Sequence, residues 1–280
     1  MINDSERAAI LEHAYLPEHL SHYVTAISGT EPFLIDDFVV HLSGTQLVFI
    51  GYPLRGDFNE YQMLTALEKA KSRFEPAAVS IIAPTLPSAP KKCPPSPADS
   101  YYRLDLSQLH IPKKTRNMLT RARREASVSV GEYRREHKKL VKDFIRSRQL
   151  DDGSRFIFQR LDAYAQCDSA LVFEARNARG DLVAFDIADF SAREYAFYMF
   201  NFRSEKHAVP GASDLLLFHV IKSAQAEGKR YLNLGLGIDE GITFFKKKWG
   251  GMPFLDYVSC TQKSGAGEAL SEMLAGILRL

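Results

Sequence analysis

Hydrophobic and polar positions alternate along residues 38–42 and again along 46–52, on either side of Ser43-Gly44-Thr45. A period of two around a small polar turn predicts a β-hairpin. Over residues 61–74 the period lengthens: Met63, Leu64, Leu67, Ala70 and Phe74 fall near helical spacing, so an amphipathic helix is expected. Residues 78–83 read as a buried strand. Pro84, Pro87, Pro90, Pro94, Pro95 and Pro97 follow, and such a stretch sustains neither ladder nor helix. It is a loop or linker.

Past the prolines, residues 101–106 predict a strand and 113–126 a basic helix beginning just after Pro112. Residues 127–133 alternate as a strand, and 136–149 and 155–164 read as helices. Three strand-like runs come next, at 169–176, 181–190 and 194–202. The turns between them are short enough for antiparallel neighbours. Residues 214–227 form a helix ended by Gly228, with Leu216, Leu217, Val220, Ile221 and Ala224 on its buried side. A short strand (231–234), a glycine-rich turn, a short helix (242–248), a strand (254–260) and a final helix (267–280) complete the chain. The last helix serves either as a dimer contact or to complete its own core. The expected organisation is a reduced N-terminal α/β half over 1–100 and a second α/β domain over 101–280.

The chain has 280 residues, 45% hydrophobic and 25% charged, which excludes fibrous and largely disordered classes. No apolar run is long enough to span a bilayer, and residues 1–7 carry no leader pattern, so a cytoplasmic location is expected. The three cysteines lack CxxC spacing and the eight histidines lack HxxH or HExxH spacing, so no metal site is expected. No GxSxG elbow or Cys/His pair marks a covalent nucleophile.

Charge changes the picture more. The net charge is only +2, yet residues 113–148 hold 13 Lys and Arg against four acids. Concentrated positive charge in a near-neutral chain points to a polyanionic partner, and Lys113, Lys114, Arg116, Arg121, Arg123 and Arg124 are the candidate nucleic-acid contacts. The competing reading is a solvated helix face.

From residue 169 onward the order is three meandering strands, a glycine turn, a helix, a strand, a short helix and a strand. In the turn, Val209, Gly211, Ala212 and Ser213 are small or flexible enough to leave backbone N–H groups at a helix N-terminus, where a donor pyrophosphate can settle. Asp214 in the first helical turn opposes an anion there. Two motifs follow: Tyr231-Leu-Asn-Leu-Gly-Leu-Gly237, and Gly241-Ile-Thr-Phe-Phe-Lys-Lys-Lys-Trp-Gly250. With the strand from Tyr102 and the basic helix after it, they resemble the Fem-type aminoacyl transferases of peptidoglycan bridge formation and their GNAT relatives, over roughly residues 101–260.

That resemblance implies an α/β GNAT-like N-acyltransferase fold: a mixed, mostly antiparallel sheet with splayed central strands, in two GNAT-like halves. It implies that the donor carbonyl is met by a backbone N–H within residues 198–201. Lys246 stands at the Phe-Lys position, where a cation stabilises an oxyanion or binds a donor phosphate; a solvated lysine on a basic turn is the alternative. Asn233 occupies a position where an acid is common, and the donor loop lacks the leading Arg/Gln and second glycine of the usual coenzyme A loop. Asp186 and Asp189 lie on opposite faces of one strand. One is a candidate general base or anchor for an acceptor amine, or both line an exposed sheet edge. Asp239 follows a strand end that often faces substrate in such folds, with N-capping of the next helix as the alternative, and Tyr198 presents a hydroxyl either to the cleft or to a buried face.

The implied function is transfer of an aminoacyl group from aminoacyl-tRNA, or of another acyl group, onto an amine acceptor in a direct ternary complex. The alternatives are an acyl-CoA-dependent N-acetyltransferase acting on a small metabolite and a non-catalytic RNA-binding protein on a degenerate GNAT fold. No tightly bound cofactor is expected.

Overall fold

The computed structural model describes residues 1–86 and 99–263. In chain order its elements are α1 (Asp4–His13), α2 (Ser21–Ser28), β1 (Glu31–Ile35), β2 (Phe38–Ser43), β3 (Gln46–Ile50), α3 (Glu60–Phe74) and β4 (Ala78–Ala83). After the proline-rich segment come β5 (Asp99–Asp105), α4 (Lys113–Glu125), β6 (Ala126–Gly131), α5 (Arg135–Ser147) and α6 (Asp152–Ala165). Then follow β7 (Ala170–Asn177), β8 (Leu182–Asp189), β9 (Tyr195–Arg203), α7 (Ala212–Ala226), β10 (Tyr231–Leu236), α8 (Glu240–Lys248) and β11 (Met252–Lys263). The predicted helix at 267–280 and most of the proline-rich loop lie outside the described residues.

All the strands join one sheet, ordered β1-β2-β3-β4-β11-β5-β10-β9-β8-β7-β6. Its continuity depends on β11, whose first half pairs with β5 and whose second half pairs with β4. Most pairings are antiparallel; β3–β4 and β9–β10 are parallel.

The β9–β10 pairing is brief. Tyr231, Leu232 and Asn233 face Tyr195, Ala196 and Phe197, and there the ladder stops although both strands continue. A register shift marks each strand just beyond. One lies in the β8–β9 pairing between Ile187 and Ala188, where Phe200 and Tyr198 are the partners and Met199 is the extra residue; the other lies in β10 between Asn233 and Leu236. Bulges bend strands and end pairing, so the two strands part from here to their C-terminal ends.

The helices divide between the faces. Leu119 and Ala122 of α4 and the apolar side of α7 pack with Leu104, Ala184, Ala196, Leu232 and Trp249 on one face. On the other, α1, α2, α5 and α6 cover Phe185, Ile187, Phe197, Phe200 and Phe202. The α3 helix closes a third cluster with β1–β4. Helices α1 and α2 went unpredicted. The first is short and weakly amphipathic, fixed by an Asn3–Glu6 capping box. The second buries Tyr23, Val24 and Ile27, residue types that also suit strands.

Candidate functional site

Two walls flank the parting of β9 and β10. The first runs from the end of β10 into α8. Asp99 accepts N–H bonds from Gly237 at 3.0 Å and Ile238 at 2.9 Å, which pins the turn after β10. Gly237 has no room for a side chain: a Cβ would lie 2.5 Å from Asp99 Oδ1 and 2.9 Å from Thr243 Oγ1. Ile238 is held at φ +62°, left-handed backbone that a β-branched residue adopts only under strain, at a cost of about 1–3 kcal/mol. Such strain concentrates at functional sites. Asp239 caps α8 by accepting from Ile242 N–H at 2.7 Å.

One turn on, Lys246 is 4% exposed and its Nζ donates to the Leu236 carbonyl at the end of β10. Burial lowers its pKa to about 7, against the opposing pull of Asp99 and Asp239. Burial thus favours the neutral amine far more than water does. Its two lysine neighbours are different: Lys247 is exposed, and Lys248 pairs with Asp214 at 2.6 Å. The same Asp214 accepts the indole N–H of Trp249 at 2.9 Å, and Trp249 is fully buried. The acid that opposes an anion at α7 thus ties α7 to α8.

The second wall is β8, β9 and the start of α7. Gly211 sits at φ +81°, and α4 closes over it so tightly that a Cβ would lie 2.7 Å from Met118 Cγ. The Ala212 N–H is consumed by the Val209 carbonyl at 3.2 Å, so the predicted anion turn has fewer free donors than its sequence promises. Beneath it, Ser213 Oγ donates to Asn201 Oδ1 at 2.9 Å, and Asn201 Nδ2 donates to Asp186 Oδ1 at 2.5 Å. Asp186 is wholly buried; its Oδ2 and the buried Tyr198 hydroxyl make no hydrogen bond of normal geometry, although the two groups act on each other. Burial pushes the Asp186 carboxyl well above the usual carboxylate range, with Asn201 and Tyr198 opposing.

Neither aspartate of β8 lies on an exposed edge, which removes that reading: β8 pairs on both sides and both residues are 0% exposed. Asp189 accepts from Tyr164 at 3.0 Å, contacts His22 Nε2 at 2.7 Å and takes the Ser191 N–H at 2.9 Å. Although burial acts to raise its pKa, these partners win and hold it below the usual range.

Asn233 is 1% exposed with both ends of its amide engaged: Nδ2 donates to the Tyr15 carbonyl and Oδ1 accepts the Gly235 N–H, each at 2.7 Å. The structure places it where the ladder ends, holding the bulge of β10 to the chain after α1.

The basic segment is split. Lys113, Lys114, Arg116, Arg121, Arg123 and Arg124 are exposed on α4, which packs on the α7 face beside the Gly211 turn. Arg121 is 3.7 Å from Glu125, and Arg123 lies 4.6 Å over the Phe218 ring. On the opposite face, Arg135, Lys138, Lys139, Lys142 and Arg146 of α5 line a groove of about 350 Å³. The sheet separates the two. Glu136, His137 and Glu174 lie close enough to hold a cation, but Arg176 already bonds both carboxylates.

Sequence reasoning missed Asp99 and Glu18. Glu18 is 3% exposed, accepts the Tyr101 hydroxyl at 3.0 Å and is pushed by burial up to about 7. Neither carries a motif; only the fold brings them to the centre.

No protein-family model matches the chain, and no curated protein matches it in sequence. Solved structures do resemble it. The L-PGS of Bacillus licheniformis superposes over 99% of this chain and 97% of its own, with a TM-score of 0.61 and 15% identity. FemX covers 100% and 99% of the two chains at a TM-score of 0.57 and 11% identity. A tandem GNAT protein from the clavulanic acid biosynthesis pathway covers 82% and 79% at a TM-score of 0.52 and 13% identity. At such identities the likeness establishes the fold. It is a GNAT fold, built on a large open, mostly antiparallel sheet.

Proposed function

We propose that the chain transfers an aminoacyl group from tRNA onto an amine acceptor, by direct attack at the parting of β9 and β10. The observation that carries this is Lys246: a lysine buried against the Leu236 carbonyl, its pKa lowered by burial, at the end of the strand that leaves the ladder. The proposal needs no resident cofactor, because the donor arrives as a co-substrate.

In the proposed reaction the acceptor nitrogen attacks the ester carbonyl of the donor. A new C–N bond forms, the ester C–O bond breaks, and one proton passes from the nitrogen to the departing oxygen. A backbone N–H within residues 198–201, beside the Met199 bulge, meets the carbonyl oxygen as negative charge develops. Lys246 serves the same charge as an ammonium, or takes the acceptor's proton as an amine; a pKa of about 7 suits the exchange. Asp239, Asp99 and the strained Ile238 turn hold the end of β10 that presents it.

The tRNA reading draws support from two features. The Gly211 turn has lost an N–H to Val209 and has acids below it and in the first turn of α7, so a pyrophosphate is poorly served. The exposed cations of α4 stand beside that same turn, where a nucleic-acid backbone attached to the donor would pass. Both L-PGS and FemX are among the similar structures. One observation favours acyl-CoA instead: no side chain caps the N-terminus of α7, so its remaining N–H groups are open to a phosphate.

Ligand-induced thermal stabilisation with bulk tRNA, coenzyme A and acyl-CoA in parallel separates these. A shift with tRNA that fades as salt rises, followed by transfer from charged tRNA, is expected. A shift with coenzyme A alone would replace the reading by a metabolite N-acetyltransferase. Binding of tRNA without transfer would leave an RNA-binding protein on a retired fold.

A further inference from the structure

Arg103 is a half-buried cation without an acid. It lies in β5 with Asn233 of β10 opposite it on one side and Met252 of β11 on the other. Its guanidinium stands 4.3 Å over the Tyr231 ring and 4.8 Å over Phe254, and Nη1 donates to the Tyr195 hydroxyl at 2.6 Å. Among the described residues it makes no ion pair. Arg176, also partly buried, shows the contrast: Glu136 and Glu174 both hold it. At Arg103 aromatic rings fix the plane of the guanidinium and leave its charge uncancelled. Its Nε and Nη2 groups make no hydrogen bond among the described residues, and neither is sealed from solvent.

The position in the sheet gives this free fork a role. Arg103 shares the α1 face with Tyr195, Tyr231 and Phe254, whereas the Gly211 turn, where the donor is expected, lies on the α7 face. Its cross-strand partner Asn233 is the last residue of β10 that pairs with β9. The arginine therefore stands at the foot of the parting, on the side away from the donor. Tyr195 also forms a wall of an open cavity of about 400 Å³, together with Tyr15 and Leu54. Of the acids lining that cavity, Glu12 is taken by Arg193, and the exposed Glu194 makes no ion pair with Arg103. Arg230 is exposed and lies 4.9 Å over the same Tyr231 ring, adding a second cation.

We propose that Arg103, with the Tyr195 hydroxyl, binds an oxyanion, a carboxylate or a phosphate, carried by the amine acceptor. This rests on the acyl-transfer reading above. The Nε and Nη2 groups present two parallel N–H donors to two oxygens, and Tyr195, having accepted from Arg103, keeps its own proton to donate. From Asn233 to Leu236, whose carbonyl holds Lys246, the strand advances on the order of 10 Å, so the acceptor carries its anion at about that distance from its nitrogen. An amine without an anion leaves the guanidinium to water and forgoes the contact.

The test uses the full chain and ligand-observed NMR with two pairs of probes: triglycine against triglycinamide, and aminohexyl phosphate against aminohexanol. Each anionic probe spans about 10 Å between nitrogen and anion. At least one of them is expected to bind about tenfold or more tightly than its neutral counterpart, the range of a hydrogen bond to a charged group. The pair that shows the preference tells carboxylate from phosphate. Arg103→Gln should abolish the preference and leave tRNA binding unchanged, and Arg103→Lys, which keeps the charge and loses the fork, should recover part of it. In transfer assays Arg103→Gln should raise the KM of the preferred anionic amine at least tenfold, while hydroxylamine, which carries no anion, reacts at the wild-type rate. No preference for either anion, or a preference that persists in Arg103→Gln, would overturn the proposal. The donor reading is judged separately. Transfer from charged tRNA that is indifferent to the acceptor's anion sinks the Arg103 site alone, whereas anion preference without transfer from any acyl donor sinks the reading beneath it.

Discussion

Asp186 and Asp189 stand three residues apart on β8, both fully buried, and their carboxyls are shifted in opposite directions. Desolvation acts on both to favour the neutral acid. It prevails at Asp186, which has only Asn201 and Tyr198 to oppose it. It loses at Asp189, which gathers a histidine, a tyrosine and a serine with its backbone N–H. Burial alone therefore does not decide charge; the supply of partners does. Asp189 ties α2 and α6 to the sheet, whereas Asp186 holds nothing together that an amide could not hold. Glu18 lies between them, with one oxygen bonded to Tyr101 and the other unpartnered.

The largest effect should come from breaking the satisfied acid. Asp189→Ala leaves the buried Tyr164 hydroxyl without its acceptor and cuts His22 from β8, and should cost about 3–5 kcal/mol, read by urea unfolding. Asp186→Asn should stay within about 1 kcal/mol of wild type in the same measurement. Comparable losses in both would erase the contrast.

On the opposite wall, Lys246→Met tests whether the buried lysine is kept for chemistry. Transfer should fall roughly 100- to 1,000-fold, as for loss of an oxyanion donor, while the fold persists. Lys246 also gives stability a sign with pH. Its folded pKa of about 7 lies below its unfolded value, so the unfolded chain binds more protons above pH 7 and stability should rise from there toward pH 10. Lys246→Met should remove that rise.

A smaller effect is expected on α4. Replacing Lys113, Lys114 and Arg116 together by Gln should reduce the slope of log affinity for tRNA against log salt by about three. The smallest concerns Glu18. Its pKa is raised in the folded state to about 7, so its contribution is present below about pH 4.5 and is lost as pH rises through 7. Glu18→Gln should flatten stability across that window; an unchanged decline would place its origin elsewhere.

Much of this was legible in the sequence. Alternation along β8 put Asp186 and Asp189 on opposite faces, and the strand and helix order from residue 169 onward led to the observed fold. Pattern could not supply the partners. His22 reaches Asp189 across 167 residues from a helix whose Tyr23, Val24 and Ile27 also suit a strand. Asp99 binds Gly237 and Ile238 from beyond the proline-rich segment, and Asp214, an apparent obstacle at α7, proves to hold Trp249. The basic segment read as one surface, yet β6 divides it, because α4 buries Leu119 and Ala122 on one face of the sheet and α5 buries Leu140 and Val141 on the other. Long-range polar pairing and the side of the sheet a helix takes leave no periodic trace.

The central claim is aminoacyl transfer at the opening between β9 and β10. The most direct measurement is the rate at which the protein converts charged tRNA to aminoacyl hydroxamate with hydroxylamine as a generic amine acceptor, corrected for the spontaneous reaction. A rate above that background which Lys246→Met abolishes is the predicted result. A rate no greater than background, together with acetyl hydroxamate formed from acetyl-CoA, would contradict the account.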